Sequence, residues 1–231
     1  MDMDILELIK QRRAVRAFTD KALNEKDIET ILQAGQYAPS PLNSQPWHFT
    51  LVRNKETLST LAEKAQHASF LSQAQLLIIV TVDTGIEIDT WLKQHNQHLY
   101  SGAAAMQNMW LAANALEMGC CWVTLDEAFT KAQFSIPKEL TIIGGLALGY
   151  PKELPKAHAD EDRKALPSLI SLEQFYLHDD CETESCYTCL KQVPKSAANS
   201  FEGDDYVRYF CGNDCYAEWK KQTQKWLDED N

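Results

Sequence analysis

An excess of basic charge, a long apolar run and a triad of catalytic side chains are all missing from this chain of 231 residues. Lys and Arg total 22 against 33 Asp and Glu, a formal net charge of −11. A nucleic-acid surface needs a basic footprint, so that class is excluded. The balance leaves room for one local basic pocket around a single phosphate. The longest apolar run, LLIIV at 76–80, is far too short to span a bilayer, so no membrane partner is expected. The opening MDMDILELIK lacks a basic stretch followed by an apolar one, so no signal peptide is expected. The expected location is the cytoplasm. The seven cysteines are then reduced, and clustered ones point to metal ligation rather than disulfides. No internal repeat, Ser-His-Asp pattern or paired-carboxylate motif stands out.

What is present is a chain rich enough in apolar residues, 45%, to build a core. Its texture divides it into a mixed domain, 1–177, and a cysteine-rich tail, 178–231, with five of the seven cysteines from Cys181 onward. The stretch PKELPKAHADEDRKALPS at 151–168 is proline-rich and charged and reads as an extended arm. In the first domain Ile5, Leu6, Leu8 and Ile9 begin a helix. Ile28, Ile31, Leu32 and Gly35 fall at i, i+3, i+4 and i+7 and predict a second, capped by Asn24 with Asp27 and Glu29 in its first turn. WHFTLVRN alternates and reads as a strand. QLLIIVTVD reads as a strand buried on both faces. SGAAAMQNMWLAANALEMG predicts a buried helix ending at Gly119, and TIIGGLALGYP a further central strand. Helices and strands alternate without a regular βαβ beat, which gives an α+β fold around one sheet.

Two stretches carry chemistry. In QRRAVRAF, Arg12, Arg13 and Arg16 crowd the end of the first helix. Guanidinium forks bind phosphate bidentately. A solvated basic face, or cations placed at a helix C-terminus, reads equally from the same residues. In APSPLNSQPW, prolines stiffen a loop holding Ser40, Asn43, Ser44 and Gln45. Such a loop offers donors and acceptors to a planar heterocycle, although Asx and Ser turns account for part of it.

RRAVRAF followed by APSPLNSQPWHF, AAAMQNMWLAANALEMGCCW, GLALGYP and DRKAL together resemble the nitroreductase family of FMN-dependent oxidoreductases, in order over residues 5 to about 170. The resemblance implies a mixed sheet flanked by helices in an intertwined homodimer, with FMN at the interface. It implies Arg12 and Arg13 near the phosphate and ribityl chain, and Arg16 near the pyrimidine edge. Pro39, Ser40, Pro41 and Asn43 are implied as a loop laid on the flavin by the partner subunit. Val123, Thr124 and Leu125 are implied as the segment whose amides approach the ring, and Arg163 and Lys164 as a second basic pair at the phosphate. Hydride would pass from NAD(P)H through the flavin to an electron-poor small molecule, a nitroaromatic or quinone, with ping-pong kinetics. No catalytic side chain of the protein is expected, since the flavin would carry the chemistry. The chain departs from the family's pattern at Ala14, where a serine is common, and at Asp126-Glu127, where glycine is common. A short lid is expected from TGIEIDTWLKQHNQHLY, in which Trp91, His95, His98 and Tyr100 either face the flavin or pack on the core.

The tail carries Cys186-x2-Cys189 and Cys211-x3-Cys215. Two short-spaced pairs suit tetrahedral Zn2+, with sulfurs at about 2.3 Å from the metal. VRYFCGNDCYAEW reads as strand, turn and helix, with Tyr216, Trp219, Thr223 and Trp226 near one face. This resembles treble-clef-like zinc fingers. Two disulfides, buried free thiols or an iron–sulfur cluster are the alternatives, with Cys181 a spare thiol. Twelve acidic residues against six basic ones from position 178 on argue for a structural metal and protein contact rather than nucleic acid. Cys120 and Cys121, adjacent after Gly119, read as a redox pair or as small apolar packing residues. A different class of function is a flavin-fold scaffold whose zinc tail acts as an interaction or sensing module with little turnover.

Overall fold

The computed structural model describes residues 4–85, 90–153, 163–175, 183–194, 198–202 and 207–229. The chain divides into two compact units, Met1–Ala157 and His158–Asn231.

In the first unit, side-chain oxygens start the helices. Helix α1 spans Ile5–Gln11 with Asp4 as its cap and buries none of its own residues. Helix α2, Glu25–Gln36, starts where Asn24 accepts from the Lys26 amide at 2.9 Å. Glu25 and Asp27 occupy its first turn, and Ile28, Ile31 and Gly35 form its buried face. After strand β1, Trp47–Val52, helix α3 covers Lys55–Lys64, capped by Asn54 and anchored by Leu58 and Leu61. Strand β2, Leu76–Asp83, is buried along nearly its whole length. A short helix α4, Thr90–Gln94, leads into α5, Gln97–Ala115. Strand β3, Gly119–Val123, helix α6, Glu127–Phe134, capped by Asp126, and strand β4, Leu140–Gly149, complete the unit.

The four strands form one antiparallel sheet in the order β1-β2-β4-β3. Side chains alternate across it. Leu77, Ile79, Ala147, Cys121 and Val123 pack on one face with Leu58, Leu61 and Leu71. Leu76, Ile78, Val80, Leu146, Leu148 and Cys120 pack on the other with Ile28, Ile31, Met106 and Met109. The sheet is therefore covered by helices on both sides, as the apolar run of β2 requires. The register slips between Val80 and Thr81 opposite β4, and Gly144 there has φ +152°, a conformation open to glycine. A Cβ on Gly144 would lie 2.6 Å from Trp122 Nε1, so the indole crosses the bulge in close contact.

One boundary differs from expectation. Helix α5 ends at Ala115, not at Gly119. Glu117 takes the left-handed position, φ +58°. Its amide donates to Asn114 O at 3.1 Å and the Met118 amide to Ala113 O at 2.9 Å, a Schellman stop. Gly119 instead opens β3, where a Cβ would meet Val15 at 2.6 Å. The N-terminal segment runs beside β3 here: Ala14 bridges Cys120 in parallel, with Val15 N donating to Cys120 O at 3.0 Å.

In the second unit, strands β5, Thr183–Ser185, and β6, Gln192–Pro194, form one antiparallel pair. Strands β7, Asn199–Glu202, and β8, Val207–Phe210, form another, and helix α7, Asn213–Glu229, follows. Strand, turn and helix fall where VRYFCGNDCYAEW predicts them. The core is small: Cys186, Phe210 and Trp219 are buried, with Phe201, Cys211, Cys215 and Tyr216 against them. The Trp226 side chain, Cys181, part of the 151–168 arm and part of the lid segment lie outside what is described.

Candidate flavin cavity and four-cysteine centre

The parallel bridge from Ala14 to Cys120 sets Arg16 beside the end of β3. A cavity of about 560 Å³ opens there, a volume in the range that holds small molecules and cofactors. One wall is Cys121 to Asp126; the other is Lys64 to His67 with Phe70; Arg16 joins them. The Arg16 guanidinium lies 5.9 Å from the Phe70 ring centre. Arg16, Lys64 and His67 thus line one opening in a chain of net charge −11. Asp126 is the one acid lining it, and its carboxylate accepts from the Phe129 amide at 2.8 Å to start α6. A cavity lined by Arg16 and Lys64 together with Phe70, Trp122, Val123 and Leu125 fits an anionic planar cofactor.

The expected residues distribute unevenly. Arg16, Val123, Thr124 and Leu125 line the cavity together. Arg12 and Arg13 are half-buried nearby in sequence but outside its lining. Arg12 lies over the Trp110 ring at 4.3 Å. Arg13 donates to the carbonyls of Lys10 and Arg12, the latter at 2.8 Å. Pro39, Ser40, Pro41 and Asn43 belong to a loop outside the lining. That loop is strained: Leu42, Asn43 and Gln45 all have φ near +50°. Ser40 Oγ accepts from the Gln45 amide at 3.0 Å, so part of its polarity serves its own turn. Arg163 and Lys164 belong to the second unit and are exposed there. Trp91, His95 and Tyr100 are exposed, whereas His98 is buried.

Lys64, Gln66, His67, Phe70 and Trp122 were not expected among the lining residues. Lys64 ends α3 and His67 turns at φ +59°. Nothing in their spacing marks them, because the turn meets β3 only once the sheet has formed.

Cys120 and Cys121 stand on opposite faces of β3, one in each half of the core. They cannot act as a pair. Burial pushes the Cys120 thiol well above its ordinary value, and burial raises Cys121 against the pull of Arg16. Both are packing residues, and Cys121 also walls the cavity.

In the second unit the four sulfurs of Cys186, Cys189, Cys211 and Cys215 lie within 4.8 Å of one another. Cys189 and Cys211 are 3.6 Å apart, Cys211 and Cys215 3.4 Å. Tetrahedral zinc with bonds of about 2.3 Å sets its sulfurs roughly 3.8 Å apart, and disulfide sulfurs stand at about 2.05 Å. The set therefore fits a metal and not two disulfides. A turn at Leu190, φ +62°, folds the first pair back, with Leu190 N donating to Cys186 O at 2.8 Å. Burial pushes the Cys186 thiol up, but the amides of Cys189, Cys211 and Thr188 and the Cys189 thiol bring it down to about 6. The Cys211–Cys215 hydrogen bond pushes Cys215 up to about 12. A divalent cation bound there would require all four as thiolates.

Sheet order, two-sided core and the crevice at β3 define an α+β, nitroreductase-like fold. The sequence pattern of the Nitroreductase family matches residues 9–87 and 64–150, and that of a domain of unknown function, DUF3330, matches 177–230. A Methanothermobacter thermautotrophicus protein, provisionally named an NADH dehydrogenase/NAD(P)H nitroreductase, is 34% identical over 178 residues, 75% of this chain and 88% of that one. A protein of the same provisional name from Archaeoglobus fulgidus is 32% identical over 168 residues, 69% and 92% of the two chains. A solved structure from Desulfovibrio desulfuricans, provisionally a nitroreductase and in complex with FMN, is 29% identical with a TM-score of 0.62, over 76% of this chain and 100% of that one. The chain belongs to the nitroreductase family.

Proposed function

We propose that this chain is an NAD(P)H-dependent flavin oxidoreductase of the nitroreductase type, working on an electron-poor small molecule such as a nitroaromatic or quinone. The observation that carries the reading is the cavity at the end of β3, where Arg16 meets Val123, Thr124 and Leu125 across more than a hundred residues of sequence. FMN bound there would supply the two-electron chemistry, accepting hydride from NAD(P)H and passing it on.

The chain's own residues bind and orient. Arg16 at the pyrimidine edge would stabilise negative charge gathering there. Backbone amides of Val123 to Leu125 would hold the ring without adding a titrating group. Arg12 and Arg13 would hold the phosphate by charge-assisted hydrogen bonds. A homodimer completes the site. The loop of Pro39, Ser40, Pro41 and Asn43 lies outside its own chain's cavity, as a loop lent to a partner would. Ile5, Leu6 and Ile9 of α1, and Tyr37 and Leu42, are exposed apolar groups that a partner would cover. In the 178–231 tail, Cys186, Cys189, Cys211 and Cys215 would hold structural Zn2+.

A visible spectrum and elemental analysis of the purified full chain test both halves. The expected protein is yellow, is bleached by NAD(P)H without oxygen, turns over with quinones or nitroaromatics, and holds one zinc per chain. Arg12→Ala should weaken FMN binding about 10- to 100-fold, the worth of one hydrogen bond to a charged group. A chain that stays colourless in excess FMN would sink the flavin reading. Bound flavin with negligible turnover would favour a binding or sensing module instead.

A further inference from the structure

We infer that Trp110 is a positioning residue for the phosphate end of the cofactor, acting through Arg12. The inference rests on the flavin reading above. Helix α5 turns Trp110 toward the end of α1. One turn further on, Asn114 Nδ2 donates to the Leu8 carbonyl at 3.4 Å. Arg12, the residue that ends α1, lays its guanidinium on the Trp110 ring with Cζ 4.3 Å from the ring centre. Both side chains are half-buried. Helix α1 buries none of its own side chains, so these two contacts tie its C-terminal end to α5.

The geometry suits a prepared anion site. A guanidinium carries its five N–H donors in its plane, and stacking uses its face. The indole has no acceptor oxygen or nitrogen, so it restrains the guanidinium without competing for those donors. It also limits the rotamers of a long side chain before any ligand arrives, which reduces the ordering cost of binding. Arg13 also donates from Nη1 to the carbonyls of Lys10 and Arg12 at the negative end of α1. Arg16 reaches the cavity. Arg12 ends α1 and lies nearer its ring, 4.3 Å from the Trp110 centre, than Arg16 does to Phe70 at 5.9 Å. The ligand chemistry it fits is a phosphate monoester dianion, the group that distinguishes FMN from riboflavin.

The test compares FMN and riboflavin affinities of the full chain, read by flavin fluorescence quenching, for Arg12→Ala, Trp110→Leu, Trp110→Phe and the Arg12→Ala/Trp110→Leu double variant. Arg12→Ala should lose FMN affinity about 10- to 100-fold and leave riboflavin within about two-fold. Trp110→Leu should lose FMN affinity about 2- to 30-fold, the span of cation–π attraction from exposed to desolvated sites, with riboflavin again unmoved. Trp110→Phe keeps a ring and should restore most of the discrimination. The double variant should be no weaker than Arg12→Ala alone, because the two side chains act as one unit. A Trp110→Leu variant that weakens both flavins by the same factor would show a packing role and overturn the inference. So would one that leaves FMN affinity unchanged, or losses that simply add. If Arg12→Ala itself keeps full discrimination against riboflavin, the phosphate assignment fails first, and the inference with it. Should Trp110→Leu not fold, Trp110→Phe decides by itself: lost discrimination in a folded variant with an aromatic ring still in place contradicts the stacking argument.

Discussion

His98 sits in the first turn of α5 with 5% of its surface exposed, and its Nδ1 has no hydrogen-bond partner among the described residues. Burial lowers its pKa, Lys93 lowers it further, and Asp83 pulls the other way. The imidazole is therefore held neutral in the fold. In the unfolded chain it takes up a proton near pH 6.5. Above that pH the two states bind the same number of protons, and the fold keeps its full stability. Below it the unfolded state binds more, so stability falls as the pH drops toward the lowered folded value. Melting temperature should decline from pH 7 to pH 5, and His98→Gln should flatten that decline while melting lower at pH 7. An unchanged slope in the variant would place the acid sensitivity elsewhere. At the same scale, Arg12 and Arg13 are adjacent in sequence but differ in what they do: one stacks on a ring, the other caps a helix end.

At the scale of elements, the cavity depends on where α6 starts. Asp126 ends the segment that walls the site and caps the helix with one carboxylate oxygen. Asp126→Ala should cost about 1 kcal/mol, the usual worth of an N-cap, and lower the melting temperature by roughly 2–4 °C for a domain of this size. Asp126→Asn keeps an acceptor in place and should melt within about 1 °C of the native chain. Equal losses from both would mean that charge, not capping, is at work. Elements whose signals are local were legible in the sequence. Asn24 marks the start of α2, the unbroken apolar run of β2 implies cover on both faces, and strand, turn and helix follow one another around Cys211. The end of α5 was not legible. Glycine normally fills the left-handed position that stops a helix, and Glu117 fills it here, while Gly119 is needed for the approach of Val15. The second cavity wall, Lys64 to His67, was hidden for a related reason. Its role depends on a turn meeting a strand distant in sequence, and no periodicity records such a meeting.

At the scale of the whole molecule, the two units keep their structure by different means. The first has a sheet buried on both faces, with Leu76 to Val80 fully enclosed, and apolar burial of that extent sustains a fold without help. Among the described residues of the second, four hydrophobic side chains are buried, Cys186, Val193, Phe210 and Trp219, one of them a member of the cysteine cluster. A core that small does not hold a chain together, so metal bound by the four cysteines would supply its folding energy. Chelation should therefore separate the units. With a strong zinc chelator under reducing conditions, the tail should become protease-sensitive across 183–229 and its Trp219 emission should shift to the red as the aromatic cluster with Phe201, Phe210 and Tyr216 opens. Flavin bound in the first unit should retain its spectrum. Restoring zinc should restore protection, since the four thiolates would bind it as one set. Cys186→Ser should behave like the chelated protein, because Cys186 is both one of the four clustered cysteines and a buried member of that core. A tail that stays protease-resistant after its metal has been removed would mean that its aromatic contacts suffice, and that the four cysteines answer to something other than folding.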